Sequence, residues 1–115
     1  MAPLLGDLEY AVLLAVLRLG DAAYGVSIRQ ELEQRAGRKS SLGAIYTTLD
    51  RLEKKDLVLS RDSQPTAVRG GRRRRLCRLT PAGERALTAT WEAQRRMLHG
   101  LEGELARLQR ETGDA

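Results

Sequence analysis

The sequence has 115 residues, enough for one domain with a modest core and too few for two. Hydrophobic residues make up 42% and charged residues 30%, a balance that excludes wholesale disorder, and the absence of Phe leaves Leu, Val, Ile and Ala to build the core. The net charge of +5 is concentrated: Arg69, Arg72, Arg73, Arg74, Arg75 and Arg78 fall within ten residues that hold no acid, leaving about one net negative charge on the rest, five less six.

Cys77 is the only cysteine, so no intrachain disulfide forms. The first apolar run has no basic stretch before it and is broken by Asp7, Glu9 and Arg18, unlike a signal peptide or a membrane span. Both features point to the cytoplasm and to no membrane partner.

Leu8 to Leu19, LEYAVLLAVLRL, lies between Gly6-Asp7 and Gly20-Asp21 and predicts a first helix. Leu8, Val12, Ala15 and Leu19 make one face, while Leu13, Leu14, Val16 and Leu17 fill much of the rest. A helix apolar on more than one side of so short a chain needs a partner subunit to cover it, with Leu13 and Leu17 as interface candidates. The second helix is expected over Gly25 to Ala36, with Ile28 and Leu32 inward and Gly37 as its stop. Ser40 or Ser41 caps a third, running to about Lys55, whose Leu42, Ile45, Leu49 and Leu52 form one inward stripe.

Leu57 to Arg61 and Arg73 to Leu79 read as strands around a polar loop containing Pro65, Gly70 and Gly71, which makes a hairpin. Thr80 and Pro81 open a last helix, a capping hydroxyl followed by proline at the first helical position. That helix is expected to run unbroken to about Arg110. Leu87, Trp91, Leu98, Leu101, Leu105 and Leu108 recur along it, with Gln94, at alternating spacings of four and three, the seam of a helix that pairs with a copy of itself. Gly100 and Gly103 weaken it by about 1 kcal/mol each relative to Ala. The fold class is therefore mainly α (α+β): a winged helix-turn-helix over residues 1–80, a long C-terminal dimerisation helix over 81–110 in the same compact unit, and a frayed tail at 111–115.

In a helix-turn-helix the second helix of the motif enters the major groove, which here is the third helix of the chain. Its outward positions are Ser40, Ser41, Gly43, Ala44 and Thr47, then Arg51; small and hydroxyl-bearing groups permit close approach, and the helix start favours phosphate. The hairpin tip carries Arg69, Gly70, Gly71, Arg72, Arg73 and Arg74, guanidinium groups that suit the backbone or the minor groove of double-stranded DNA.

Three segments carry a resemblance to the PadR family of bacterial transcriptional regulators: AYGVSI (Ala23 to Ile28), AIYTTLDRLEKKDLV (Ala44 to Val58) and GGRRRRLCRLTPAG (Gly70 to Gly83). With the helices at both ends, the resemblance covers nearly the whole chain. It implies a homodimeric repressor that binds an inverted-repeat operator and is released by a small effector. It also implies DNA contacts at Tyr46, Thr47 and Arg51 and at Gly71, Arg72 and Arg73; the competing role for Tyr46 is packing against the first helix. Three departures stand out. Asp56 occupies a turn position where the family commonly has glycine, Asp50 places an acid on the recognition helix, and Leu76 and Cys77 replace a common tyrosine pair.

The short members of the family place flat, aromatic effectors at the dimer interface, which makes Trp91 and Gln94 the effector candidates, against simple core packing for Trp91 and register-setting for Gln94. His99 and Cys77 are single residues of their kinds, too few for a metal centre, and no catalytic constellation or cofactor motif is present, so neither an enzyme nor a cofactor is expected. Two other readings remain at this point: a basic coiled-coil interaction protein that binds RNA or an acidic protein surface, and a winged-helix regulator of the MarR type.

Overall fold

The computed structural model describes residues 4–63 and 74–113. Helix α1 (Asp7–Leu19) begins where the Glu9 carboxylate accepts a hydrogen bond from the Gly6 amide at 3.0 Å, and ends in a short 3-10 turn, Gly20–Ala22. Helix α2 (Gly25–Ala36) is set by Ser27, whose hydroxyl accepts from the Tyr24 amide at 3.0 Å and donates to the Ala22 carbonyl at 2.6 Å. Gly37 stops it at a left-handed φ of 62°, and the Gly37 and Arg38 amides return to the Glu33 and Leu32 carbonyls.

Helix α3 (Leu42–Lys54) starts at Ser41, not Ser40, where the hydroxyl accepts from the Ala44 amide at 3.0 Å. Strands β1 (Val58–Asp62) and β2 (Arg75–Leu79) pair antiparallel, Val58 opposite Leu79 and Asp62 opposite Arg75. The Cys77 amide also donates to the Ala23 carbonyl at 2.9 Å, which ties the hairpin to the turn before α2. Alternation along the hairpin puts Val58 and Cys77 into the core and leaves Leu59 and Arg78 outside.

The core sits among α1, α2, α3, the hairpin and the first half of the next helix, α4 (Pro81–Leu98). Val12, Leu13, Ile28, Ile45, Leu49, Leu52 and Val58 are fully enclosed, so aliphatic packing alone does what aromatic residues do elsewhere. Thr80 joins the layers: its hydroxyl accepts from the Gly83 amide at 2.9 Å and donates to the Asp56 carbonyl at 2.6 Å. Asp56 itself takes a φ of 60°, so the turn keeps the left-handed conformation that glycine would supply.

Two sequence expectations need correction. The C-terminal helix is not continuous: α4 ends at Leu98, and α5 (Glu102–Thr112) begins after a break in which Gly100 adopts a φ of 86°. Glycine is the residue that reaches this conformation without cost from a Cβ, and the amide it presents is taken by the Glu102 carboxylate at 3.0 Å. Second, Leu13 and Leu87 lie in the core of their own chain, 0% and 5% exposed, and have no surface left for a partner subunit. Both belong to stripes wide enough to serve two surfaces, and the inner one claims them.

Candidate nucleic-acid interface

Helix α3 is tied to α1 at its C-terminal end. Lys55 donates to the Glu9 carboxylate at 2.7 Å, which pins the end of α3 to the start of α1, and Thr48 is buried with its hydroxyl on the Ala44 carbonyl at 2.8 Å. The Lys55 hydrogen bond holds the Glu9 carboxyl below its ordinary range, against a burial effect that acts the other way. What α3 leaves outward is Ser41, Gly43, Tyr46, Thr47, Asp50 and Arg51, all exposed, with Ser40 and Ala44 half-buried at its entrance. This outward surface is built of small residues at its N-terminal end and carries Asp50 beside Arg51 further on.

Tyr46 packs against the start of α2. Its ring lies on Gly25 at the start of α2, where a Cβ would meet Cζ at 2.7 Å, and 37% of the side chain's residue remains exposed beside Thr47. The same residue therefore braces α2 against α3 and borders the outward face.

The hairpin contributes from β2. Arg74 is exposed and its guanidinium stacks 4.6 Å from the Tyr24 ring centre, a cation–π contact at the start of α2. Arg78 is exposed on the outer face of the strand. Arg75 behaves differently: it donates to Asp50 at 2.8 Å, to Glu53 at 2.6 Å and, through Nε, to the Ser60 hydroxyl at 3.1 Å. Burial opposes the charge on Arg75, but the two carboxylates together raise its pKa above the ordinary arginine value. Arg69, Gly70, Gly71, Arg72 and Arg73, the expected hairpin tip, lie outside the described residues.

Sequence reasoning missed the roles of Arg75, Asp50 and Glu53. The signal was present in the spacing, since acids at positions i and i+3 share one side of a helix, but the register that sets Arg75 opposite them exists only once the hairpin folds back.

The remaining candidates lie on α4 and α5. Trp91, Leu98, Leu101, Leu105 and Leu108 are 42–47% exposed, as are Leu14 and Leu17 on α1 at 41% and 59%. Each is a large apolar side chain that its own chain leaves partly uncovered. Gln94 is exposed, and Arg95 stacks 4.9 Å from the Trp91 ring centre. Neither Trp91 nor Gln94 lines the groove of about 600 Å³ that the fold does contain, which runs between the end of α1 and the hairpin along Leu17, Leu59, Leu76 and Leu79.

Among the described residues no helix is long and apolar enough to cross a membrane, and no three His, Cys, Asp or Glu side chains are grouped to hold a metal ion. Cys77 is buried, and burial pushes its thiol up from the ordinary range.

Comparison with known proteins gives a consistent result. A family model described as the transcriptional regulator PadR-like family matches residues 13–89. Transcriptional regulator Rv3488 of Mycobacterium tuberculosis is 45% identical over 65 residues, 56% of this chain and 56% of that one, so the match spans little more than half of the relative's length. A crystal structure of a PadR family transcription regulator from hypervirulent Clostridium difficile R20291 is similar with a TM-score of 0.69 at 25% identity, over 86% of this chain and 99% of that chain. Bacillus subtilis PadR, whose structure is a complex with operator DNA, shares the fold with a TM-score of 0.58 at 20% identity, over 71% of this chain and 45% of that one.

Proposed function

Because the chain belongs to the PadR-like family of transcriptional regulators, we propose that it binds double-stranded DNA as a homodimer, as a cytoplasmic repressor of an inverted-repeat operator. The observation that carries this reading is the exposed face of α3, with Gly43, Thr47 and Arg51 in a row beside a hairpin rich in arginine. Gly43 and Ala44 let the helix approach the base edges, Thr47 and Arg51 supply hydrogen bonds there, and Arg72, Arg73 and Arg74 take the backbone. Family membership favours this over the MarR type and over a coiled-coil adaptor, which needs no such face.

The partner is a second copy of the chain, meeting the first through Leu17, Trp91, Leu98, Leu101, Leu105 and Leu108. Two copies so joined hold their α3 helices about one duplex turn apart, roughly 34–36 Å. A flat aromatic effector seated against Trp91 and Gln94 between the two C-terminal arms would shift that spacing and release the operator. Selection of duplexes from a random pool tests the reading: enrichment of an inverted repeat whose half-sites lie one turn apart supports it, and no enrichment, or equal capture of RNA, overturns it.

A further inference from the structure

Two carboxylates on a helix that enters the groove of a polyanion are not absorbed by the reading above. Asp50 and Glu53 stand three residues apart on α3, and their side chains remain 60% and 41% exposed, so both lie in the field of any bound phosphate backbone. Arg75 reaches both from β2 and is itself only 24% exposed. Its Nη1 goes to Asp50, its Nη2 to Glu53 and its Nε to Ser60, so each of its three nitrogens already donates to α3 or β1, with three of the five N–H groups in use. A planar cation held on three sides, mostly covered and already matched by two carboxylates, is poorly placed to lie along a phosphate. Arg74 and Arg78, its neighbours in the block, are exposed and keep that ability.

We propose that Arg75 is a positioning residue for DNA recognition and not a DNA ligand: it halves the negative charge that Asp50 and Glu53 bring to the recognition helix and draws both carboxylates toward the hairpin, so that α3 can enter the groove. The proposal rests on the duplex-binding reading. It separates the six arginines of the block into two kinds, those that meet DNA and one that makes the neighbouring helix acceptable to it. It also gives the acid at position 50 a partner within the fold. With Arg75 removed, each subunit of a dimer turns two uncompensated carboxylates to the backbone, and repulsion of this kind acts on any duplex irrespective of sequence.

The test uses the full-length protein and a labelled random-sequence duplex, a probe that leaves out any base reading by Asp50, with anisotropy followed between about 50 and 200 mM salt. Arg75→Ala is expected to weaken binding about tenfold at the low-salt end, from two repulsions per subunit of the size of screened surface pairs, and by less at the high-salt end, where salt screens them. The triple variant Arg75→Ala, Asp50→Asn, Glu53→Gln is expected to return to within about threefold of wild type, although it has no bridge between α3 and β2. A triple variant as weak as Arg75→Ala overturns the proposal, since a purely structural strap is not restored by deleting its partners. Arg75→Ala protein that binds the duplex as tightly as wild type at about 50 mM salt also overturns it, because the two carboxylates would then need no partner. Wild-type protein that binds no duplex refutes the duplex-binding reading, and this one with it.

Discussion

The Tyr46 ring occupies the space in which a side chain at Gly25 would stand: a Cβ there would come within 2.7 Å of Cζ and 2.8 Å of the hydroxyl oxygen. The start of α2 and the middle of α3 are thereby fitted to each other with no intervening atoms. Gly25→Ala is expected to push Tyr46 outward, since the ring is 37% exposed and free to swing, at a stability cost of only about 1 kcal/mol. The displaced ring then stands in the path of α3 toward the groove, and duplex affinity falls about tenfold or more. Urea unfolding and anisotropy on the same variant check this; large destabilisation with unchanged affinity of the folded fraction would make Gly25 a packing residue only.

Gly83 presents the opposite case. It is buried at the start of α4, and a Cβ there would overlap the Leu57 carbonyl, a backbone group fixed between α3 and β1. No side chain can move aside to relieve the contact, so Gly83→Ala is expected to cost about 3 kcal/mol or more, with a clear drop in Tm. Thermal unfolding that stays within a degree or two of wild type would show that this junction is looser than described.

The Glu9–Lys55 pair makes part of the stability depend on pH. The Lys55 hydrogen bond, aided by the Gly6 amide, lowers the Glu9 pKa in the folded state. A carboxylate whose folded pKa is depressed contributes stability that is present above its unfolded pKa, near 4.3, and is lost as pH falls through the lower folded value. Glu9→Gln is expected to reduce stability at neutral pH by up to about 1 kcal/mol, the upper end for a solvent-screened pair, and to make the decline below pH 4.3 shallower. Parallel acid titrations by circular dichroism check the sign: an identical acid limb in both proteins would mean that Glu9 does not contribute.

Most of the scaffold could be read from the chain because local chemistry dictates it. The Ser41 and Thr80 caps, the Gly37 stop and the aliphatic stripe of α3 each act within a few residues, and the first three helices, both strands and the start of α4 stand where those signals put them, within about two residues. The outward face of α3 followed from that stripe by subtraction. What could not be read depends on distant partners or on competition. Leu87 fits the seam by spacing and Leu13 lies on a helix apolar on more than one side, yet the core reaches both first. Gly100 was marked as weakening, but a break rather than a tolerated glycine required the Glu102 carboxylate at its amide. Asp50 stands in the sequence as an acid without a partner, and only the folded hairpin brings Arg75 to it.

The uncovered leucines of α4 and α5 lead to a prediction about assembly. Leu98 is 46% exposed at the end of α4, at the centre of the row from Trp91 to Leu108. Leu98→Asp is expected to leave the fold of each chain intact, because no core residue touches the change, and to convert a dimer at micromolar concentration into a monomer. Sedimentation of the two proteins decides it; a wild type that already runs as a monomer would leave the apolar row without the proposed partner.

Competition binding reaches the central claim most directly. Wild-type protein is titrated onto a duplex selected from a random pool, at moderate ionic strength, against excess tRNA or heparin. Retention of the duplex, with two chains bound to each, is the expected result, since a groove-reading pair of α3 helices gains from base edges what a polyanion alone cannot offer. Equal displacement by either competitor would contradict it and leave a basic surface that recognises charge and nothing more.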